Sequence, residues 1–423
     1  MARAGAILLC YRVGNARDLG GDGGDRRQSR AAVGVSDRLP RPAWLDTPGG
    51  ARLVVALDVA GGATKLVGGA VRDGLLGRVA SDIDLATCFA PADTVARLTA
   101  AGIKAVPTGI AHGTVTAVAN GIVAEVTTLR RDVATDGRHA TVAFTDDWRA
   151  DAARRDFTIN ALYADPLTGV VDDFFGGLAD LAAHRVRFIG VPLERIAEDH
   201  LRILRFFRFH ARFGVGPPDP AGLSACVARA SDLATLSRQR VRDELFKLLA
   251  VADPVPTVRA MTLHGILTSV LPEITASAVT SLYRLCVTEI ATGIAGDPCR
   301  RLAALLPRDA DILDAVATRL RLSNADRKRL VLTADIACSL AEMAYRDGLE
   351  SAVDRGLLSQ HNDLSQFITN WRKPVFALSG RDIIARGIAA GPEVSRILNQ
   401  VEREWIAAGF PSDPTPILDQ ILS

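Results

Sequence analysis

A chain of 423 residues with 48% apolar and 23% charged side chains can bury more than one core, and ordinary domain sizes predict roughly two to four domains. A formal net charge of +2 does not by itself demand a polyanionic partner, and no apolar run approaches the roughly 20 residues of a membrane helix. The short stretch Ala6 to Cys10 is followed by Arg12 and no cleavage site, so a cytoplasmic protein with no membrane association is expected. The six cysteines, Cys10, Cys88, Cys226, Cys286, Cys299 and Cys338, fall at no zinc-ligand spacing and read as ordinary buried thiols.

Residues 1–38 mix Gly, Arg and Asp (GGDGGDRRQSR) without periodicity, the composition of an extension that cannot bury enough surface to order itself. From 39 to 180, short β-type runs (Lys65 to Gly68, Asp82 to Leu85, Val115 to Val118, Gly121 to Thr127) alternate with Ala-rich helical stretches, which predicts a head with a small sheet. Beyond about Arg185 strand signals vanish, and helical patterns broken by Gly or Pro run to the end. Between Arg185 and Ala250 twelve Arg or Lys face seven Asp or Glu, so a basic band lies mid-chain.

LVGGAVRD (Leu66 to Asp73) reads as a strand, a Gly-Gly turn and a helix start. Gly68 and Gly69 let backbone N–H groups approach a phosphate, and Arg72 adds a cation beside Asp73. Most Gly-Gly pairs are only turns; the continuation decides this one. In SDIDLAT, Asp82 and Asp84 sit two apart in a β-type run, so their carboxylates project from one face. Such a pair repels unless a cation lies between, and Mg2+ turns it into a ligand set. Two such ions can activate an attacking 3′-hydroxyl and stabilise a departing pyrophosphate. Glu125, in the alternating strand VAEVTTLR, is the candidate third carboxylate, against the commoner reading of a surface acid. Downstream, Asp199 and Arg202 are three apart, neighbours if they share a helix, with acceptors beside donors. That set matches the amino group and adjacent ring nitrogen of cytosine or adenine; an ordinary salt bridge is the alternative.

Five motifs in order, GGAVRDGLLG…SDIDLAT, RRDFTINAL (154–162), DFFGGLADL (173–181), EDHLRILRFFRF (198–209) and RQRVRDELFKLL (238–249), resemble those of bacterial class II CCA-adding enzymes and poly(A) polymerases. The resemblance implies an α+β fold: a nucleotidyltransferase head with a small mixed, polymerase-beta-like sheet (39–180), then an elongated all-helical neck (181–250), body and tail (251–423). It implies Arg155 and Asp156 as triphosphate and ribose contacts and Asp199 with Arg202 as the base-reading pair. Arg205 and Arg208 then belong to a stripe facing triphosphate and tRNA. The implied partners are tRNA, CTP and ATP, with no protein partner, and the implied reaction adds CCA to a tRNA 3′ end without a template. Poly(A) polymerases of the group carry an Arg-rich string where this chain has GIAHGTVTAV (109–118), which favours the tRNA enzyme; a silent tRNA-binding protein has no reason to keep Asp82 and Asp84 together.

Overall fold

The computed structural model describes residues 36–78, 82–135 and 140–423. Residues 1–35 of the expected extension, with Cys10, lie outside the described residues. Two compact units divide after Pro272.

In the first unit a helix α1 (Pro48–Ala56) starts with proline in its first turn, and the Thr47 hydroxyl accepts the Gly50 N–H. Seven strands form one mixed sheet: β1 (Thr64–Val67), β2 (Ile83–Thr87), β3 (Lys104–Gly109), β4 (Thr114–Ala119), β5 (Ile122–Thr128), β8 (Leu162–Ala164) and β9 (Val171–Asp173). Their order is β3-β4-β5-β2-β1-β8-β9, with β2 parallel to β5 and every other neighbour antiparallel. The four predicted strands are β1, β2, β4 and β5, within two residues at each end. Strands β8 and β9 escaped the sequence pattern because three residues are too few to show a period of two. A separate hairpin joins β6 (Arg130–Thr135) to β7 (Ala140–Phe144).

Short helices α2 (Gly69–Leu75), α3 (Pro91–Ala100), α4 (Trp148–Ala153) and α5 (Gly177–Ala182) accompany the strands. Next come α6 (Pro192–Glu198), α7 (Arg202–Phe213), α8 (Pro220–Ala228), α9 (Arg238–Leu249) and α10 (Val255–Leu263). Helix α7 is seated by aromatic packing: Phe157 lies 4.9 Å from Phe188 and 5.3 Å from Phe209, and Phe188 stacks on Phe206 at 5.3 Å. These rings, each nearly or fully buried, fix the Arg face of α7 against the loop that carries Arg155 and Asp156.

The second unit is helical throughout its described residues, as the loss of strand signals predicts: α11 (Ala278–Thr292), α12 (Pro298–Leu305), α13 (Ala310–Arg319), α14 (Asn324–Leu332), α15 (Leu340–Arg346), α16 (Leu349–Leu358), α17 (Leu364–Asn370), α18 (Gly380–Ile384), α19 (Pro392–Ala407) and α20 (Thr415–Leu422). Asp297, Asp309, Ser323 and Ser339 cap four of these helices through their side chains. Its centre holds buried charge: Arg300 pairs with Glu289 and Asp354 at 2.7 Å each, and Arg301 pairs with Glu289 at 2.9 Å. No described helix is long and apolar enough to cross a membrane. The described cysteines are free thiols; Cys226, Cys286 and Cys299 are buried, whereas Cys88 and Cys338 are only partly so, a correction to the reading of all as buried.

Candidate active site

The sheet brings the acidic residues together. Strand β5 alternates buried Ile122, Ala124, Val126 and Thr128 with outward Val123 and Glu125. Parallel pairing sets Glu125 in register with Asp84 of β2, so the two carboxylates leave one face of adjacent strands, about 4.8 Å apart at the backbone. Asp82 precedes β2 and is exposed, while Asp84 is half-buried. Burial, with the negative charges of Glu125 and Asp82, holds the Asp84 carboxyl above the usual carboxylate range; Arg155 and Arg72 pull the other way. Three carboxylates from separate points of the sequence thus share one electrostatic site.

Gly68 and Gly69 form its wall. Gly68 has φ +62°, a left-handed backbone open to glycine, and opens α2. A Cβ on Gly68 would stand 3.4 Å from Arg155 Nη1, and one on Gly69 would stand 3.7 Å from Arg72 Nη2 and 3.9 Å from Asp84 Oδ2. The missing side chains therefore leave open the space between the acidic group and the two arginines.

That space continues into a cleft of about 480 Å³ lined by Gly68, Gly69, Arg72, Arg155, Asp156, Asp199, Arg202 and Arg205 of the expected residues. Arg154, Asn160, Leu201, Phe209 and Arg240 complete it. Arg154 and Asn160 lie inside the RRDFTINAL string, and Arg240 inside RQRVRDELFKLL; the motifs were the available signal for them.

Each arginine is held in place. Arg72, buried, donates to Asp73 Oδ1 at 2.8 Å and to Asn160 Oδ1 at 2.5 Å, and its guanidinium lies 4.2 Å from the Phe213 ring centre. Asp73 is braced on its other oxygen by Arg212 at 3.0 Å, so it orients Arg72 and does not itself line the cleft. Arg154 and Arg155 both pair with Asp151, which is 1% exposed and also accepts from the Tyr163 hydroxyl at 2.5 Å. Burial alone would raise the Asp151 carboxyl, but Arg155, Arg154 and Tyr163 outweigh it and hold it below the usual range. Asp156 is similar: burial is outweighed by Arg205 at 2.5 Å and by bonds from Asn160 and the Phe157 N–H. Both Asp156 oxygens are thereby engaged by protein donors.

Two expectations need correction. Asp199 and Arg202 do not share a helix: α6 ends at Glu198, Asp199 is extended (φ −154°, ψ 105°), and α7 begins at Arg202. The Asp199 carboxylate accepts the Leu201 N–H at 3.1 Å and Arg240 Nη2 at 2.7 Å. The Arg202 guanidinium turns back to Glu198 Oε2 (2.5 Å), the Arg195 carbonyl (2.9 Å) and the Arg154 carbonyl (3.1 Å). Side-chain bonding of Asp199 to the first-turn backbone breaks the helix between them, yet both still face the one cleft. Arg208, in turn, pairs with Glu244 of α9 at 2.5 Å and lies 4.2 Å from the Phe209 ring centre, outside the cleft lining.

Among the described residues no three His, Cys, Asp or Glu are grouped to hold a metal by themselves. The donor set nonetheless fits a hard divalent cation that keeps water and takes only one or two protein carboxylates beside substrate phosphates. The half-buried Asp84, crowded by two like charges, is the position such an ion would relieve.

Residues 64–187 match the poly(A) polymerase head domain, and residues 218–277 match the family described as a probable RNA- and SrmB-binding site of polymerase A. The chain is 34% identical over 381 residues to the human "CCA tRNA nucleotidyltransferase 1, mitochondrial", covering 84% of this chain and 86% of that one. It is 31% identical to the "CCA-adding enzyme" of Lacticaseibacillus paracasei, over 86% of this chain and 92% of that one. The structure of the Bacillus stearothermophilus CCA-adding enzyme in complex with CTP superposes with a TM-score of 0.68 at 27% identity, covering 86% of this chain and 94% of that one. Nucleotidyltransferases of this polymerase family generally use divalent metals. With sequence and fold agreeing over more than four-fifths of its length, the chain belongs to the CCA-adding tRNA nucleotidyltransferase family.

Proposed function

We propose that this protein builds the CCA end of tRNA, transferring CMP and AMP from CTP and ATP to the 3′-hydroxyl with release of pyrophosphate and without a nucleic-acid template. The observation that carries the reading is the in-register meeting of Asp84 and Glu125, with Asp82, across two glycines from Arg72 and Arg155. Asp82 and Asp84 would hold magnesium, which when bound supplies neutralisation of phosphate charge and a more acidic hydroxyl.

The chain's own residues do the rest. Arg72 and Arg155, held by Asp73 and Asp151, bind the triphosphate and fix its orientation relative to the acidic group. Glu125 sits beside Asp84 as the third carboxylate. Asp199 accepts from the exocyclic amino group of cytosine or adenine while Arg202 donates to the adjacent ring nitrogen; guanine and uracil reverse that pattern and leave buried groups unpaired. Asp156, whose oxygens are filled by Arg205, Asn160 and Phe157, acts on the ribose side by holding Arg205 in place. Residues 39–180 serve as the head, 181–250 as the base-reading neck, and 251–423 as the body and tail that grip tRNA through backbone charge and shape.

The test uses purified protein and tRNA transcripts ending before C, after one C, after CC and complete, with CTP, ATP or both. Completion of each shortened end to CCA and no extension of the full end are expected. Long A tracts, or failure to add C, would overturn the reading.

A further inference from the structure

In the second unit, the start of α11, the end of α12 and the end of α16 enclose a cleft of about 480 Å³. Its lining contains Arg284 and Arg308, the hydroxyls of Ser277, Ser281 and Ser359, and no acidic residue. That is unusual for this chain, whose arginines are otherwise widely matched to carboxylates, including Arg300, Arg301 and Arg329 of the same unit. Neither Arg284 nor Arg308 has a carboxylate within ion-pair distance among the described residues. Arg308 is pinned at the rim by Ser359 Oγ at 3.2 Å and by the Leu358 carbonyl.

Behind the rim lies a second anomaly. Arg355 of α16 is 8% exposed, its Nε has no hydrogen-bond partner, and its Nη1 reaches only the Asp335 carbonyl at 3.3 Å. Burial and the charge of Arg355 together push the Arg308 guanidinium below its ordinary value, so the two cations feel each other with no anion between. A buried or half-buried charge without a counter-ion is costly, and a bound anion removes the cost.

We propose that this cleft is a phosphodiester-binding site for RNA, in which Arg284 and Arg308 hold one backbone phosphate and the serine hydroxyls donate to its oxygens. The assignment rests on the reading of the protein as a tRNA-extending enzyme and adds to it a contact remote in sequence from the nucleotide cleft. Phosphate recognition by guanidinium and hydroxyl donors carries no base information, so the site contributes affinity and placement without selecting sequence.

The test compares full-length wild type with Arg308→Gln and Arg284→Gln, singly and together, on a tRNA transcript lacking CCA. The double variant, which loses the one phosphate contact, should make the plot of log affinity against log salt shallower by about one, each single substitution by less, and the double variant should raise KM for tRNA by roughly three- to ten-fold. KM for CTP and kcat at saturating tRNA should stay at wild-type values, and Arg308→Lys should restore most of the affinity. Unchanged KM for tRNA and an unchanged salt slope in variants that melt like wild type would overturn the site. So would protection of the wild type by inorganic phosphate alone, lost in Arg308→Gln, with tRNA affinity unaffected: the site would then take a free anion and not RNA. Wild-type incorporation on the same transcript keeps the two ideas apart, since its absence removes the functional reading, whereas its presence with indifferent variants removes only this site.

Discussion

Asp84 sits where several requirements meet: it is half-buried, in register with Glu125, and faces Gly69, where a Cβ would stand 3.9 Å from its Oδ2. Replacing it with Asn keeps the shape and removes the charge. Single-turnover CMP incorporation should fall by roughly 10²- to 10³-fold or more while tRNA binding is kept; near-normal turnover would exclude it from the chemistry. Asp199 differs, because its pairing with Arg240 and not Arg202 makes it the acceptor end of a longer chain of contacts. In Asp199→Ala, discrimination of C and A against G and U should shrink by about 1–3 kcal/mol, roughly five- to 150-fold, as read by competing nucleotides. Retained discrimination would mean the base is read elsewhere. The resemblance named Asp199 and Arg202 as a pair, but the spacing could not give their partners, because an i, i+3 argument assumes a continuous helix and Asp199 interrupts it.

At the scale of elements, the loop from α4 to β8 is held by two buried carboxylates. Asp151 gathers Arg154, Arg155, Tyr163 and the Arg130 N–H at the base of the β6–β7 hairpin, and Asp156 joins that loop to α7 through Arg205. Both carboxyls lie below the usual range in the folded protein. The stability they contribute is therefore complete above the unfolded value, about 3.9, and is lost as pH falls through their depressed folded values. Acid unfolding should steepen below about pH 4, and Asp156→Asn should flatten that limb while lowering stability at neutral pH; an unchanged acid limb would show that other groups set it. Tyr163→Phe removes one bond to Asp151 and should cost about 1 kcal/mol, visible as a lower urea midpoint.

Across the whole molecule, buried and exposed charge do different work. The second unit encloses Arg300, Arg301, Glu289 and Asp354, all 5% exposed or less, with Arg300 on both Glu289 and Asp354, Arg301 on Glu289, and Arg329 also on Asp354. Removing one partner strands the others. Asp354→Ala should destabilise the protein by about 3–5 kcal/mol in calorimetry, whereas Arg396→Ala, which breaks an exposed, solvent-screened pair with Glu393, should leave the unfolding transition nearly where it is. Comparable losses for the two would refute the contrast.

Local sequence determined a good deal of this protein. Alternation placed β4 and β5, the Gly68–Gly69 turn marked the wall of the cleft, and Asp82 with Asp84 marked two members of the acidic group, because each depends on neighbours within a few residues. The helical second half was legible from the same local patterns. Tertiary structure decided what no spacing encodes. The parallel pairing of β2 with β5 put Glu125 beside Asp84 across forty-one residues of chain; packing of Phe157 against Phe209 carried the arginines of α7 to Asp156; and the break after Glu198 sent Asp199 to Arg240. Those are contacts between distant segments, set by register and core packing, and only the folded chain specifies them.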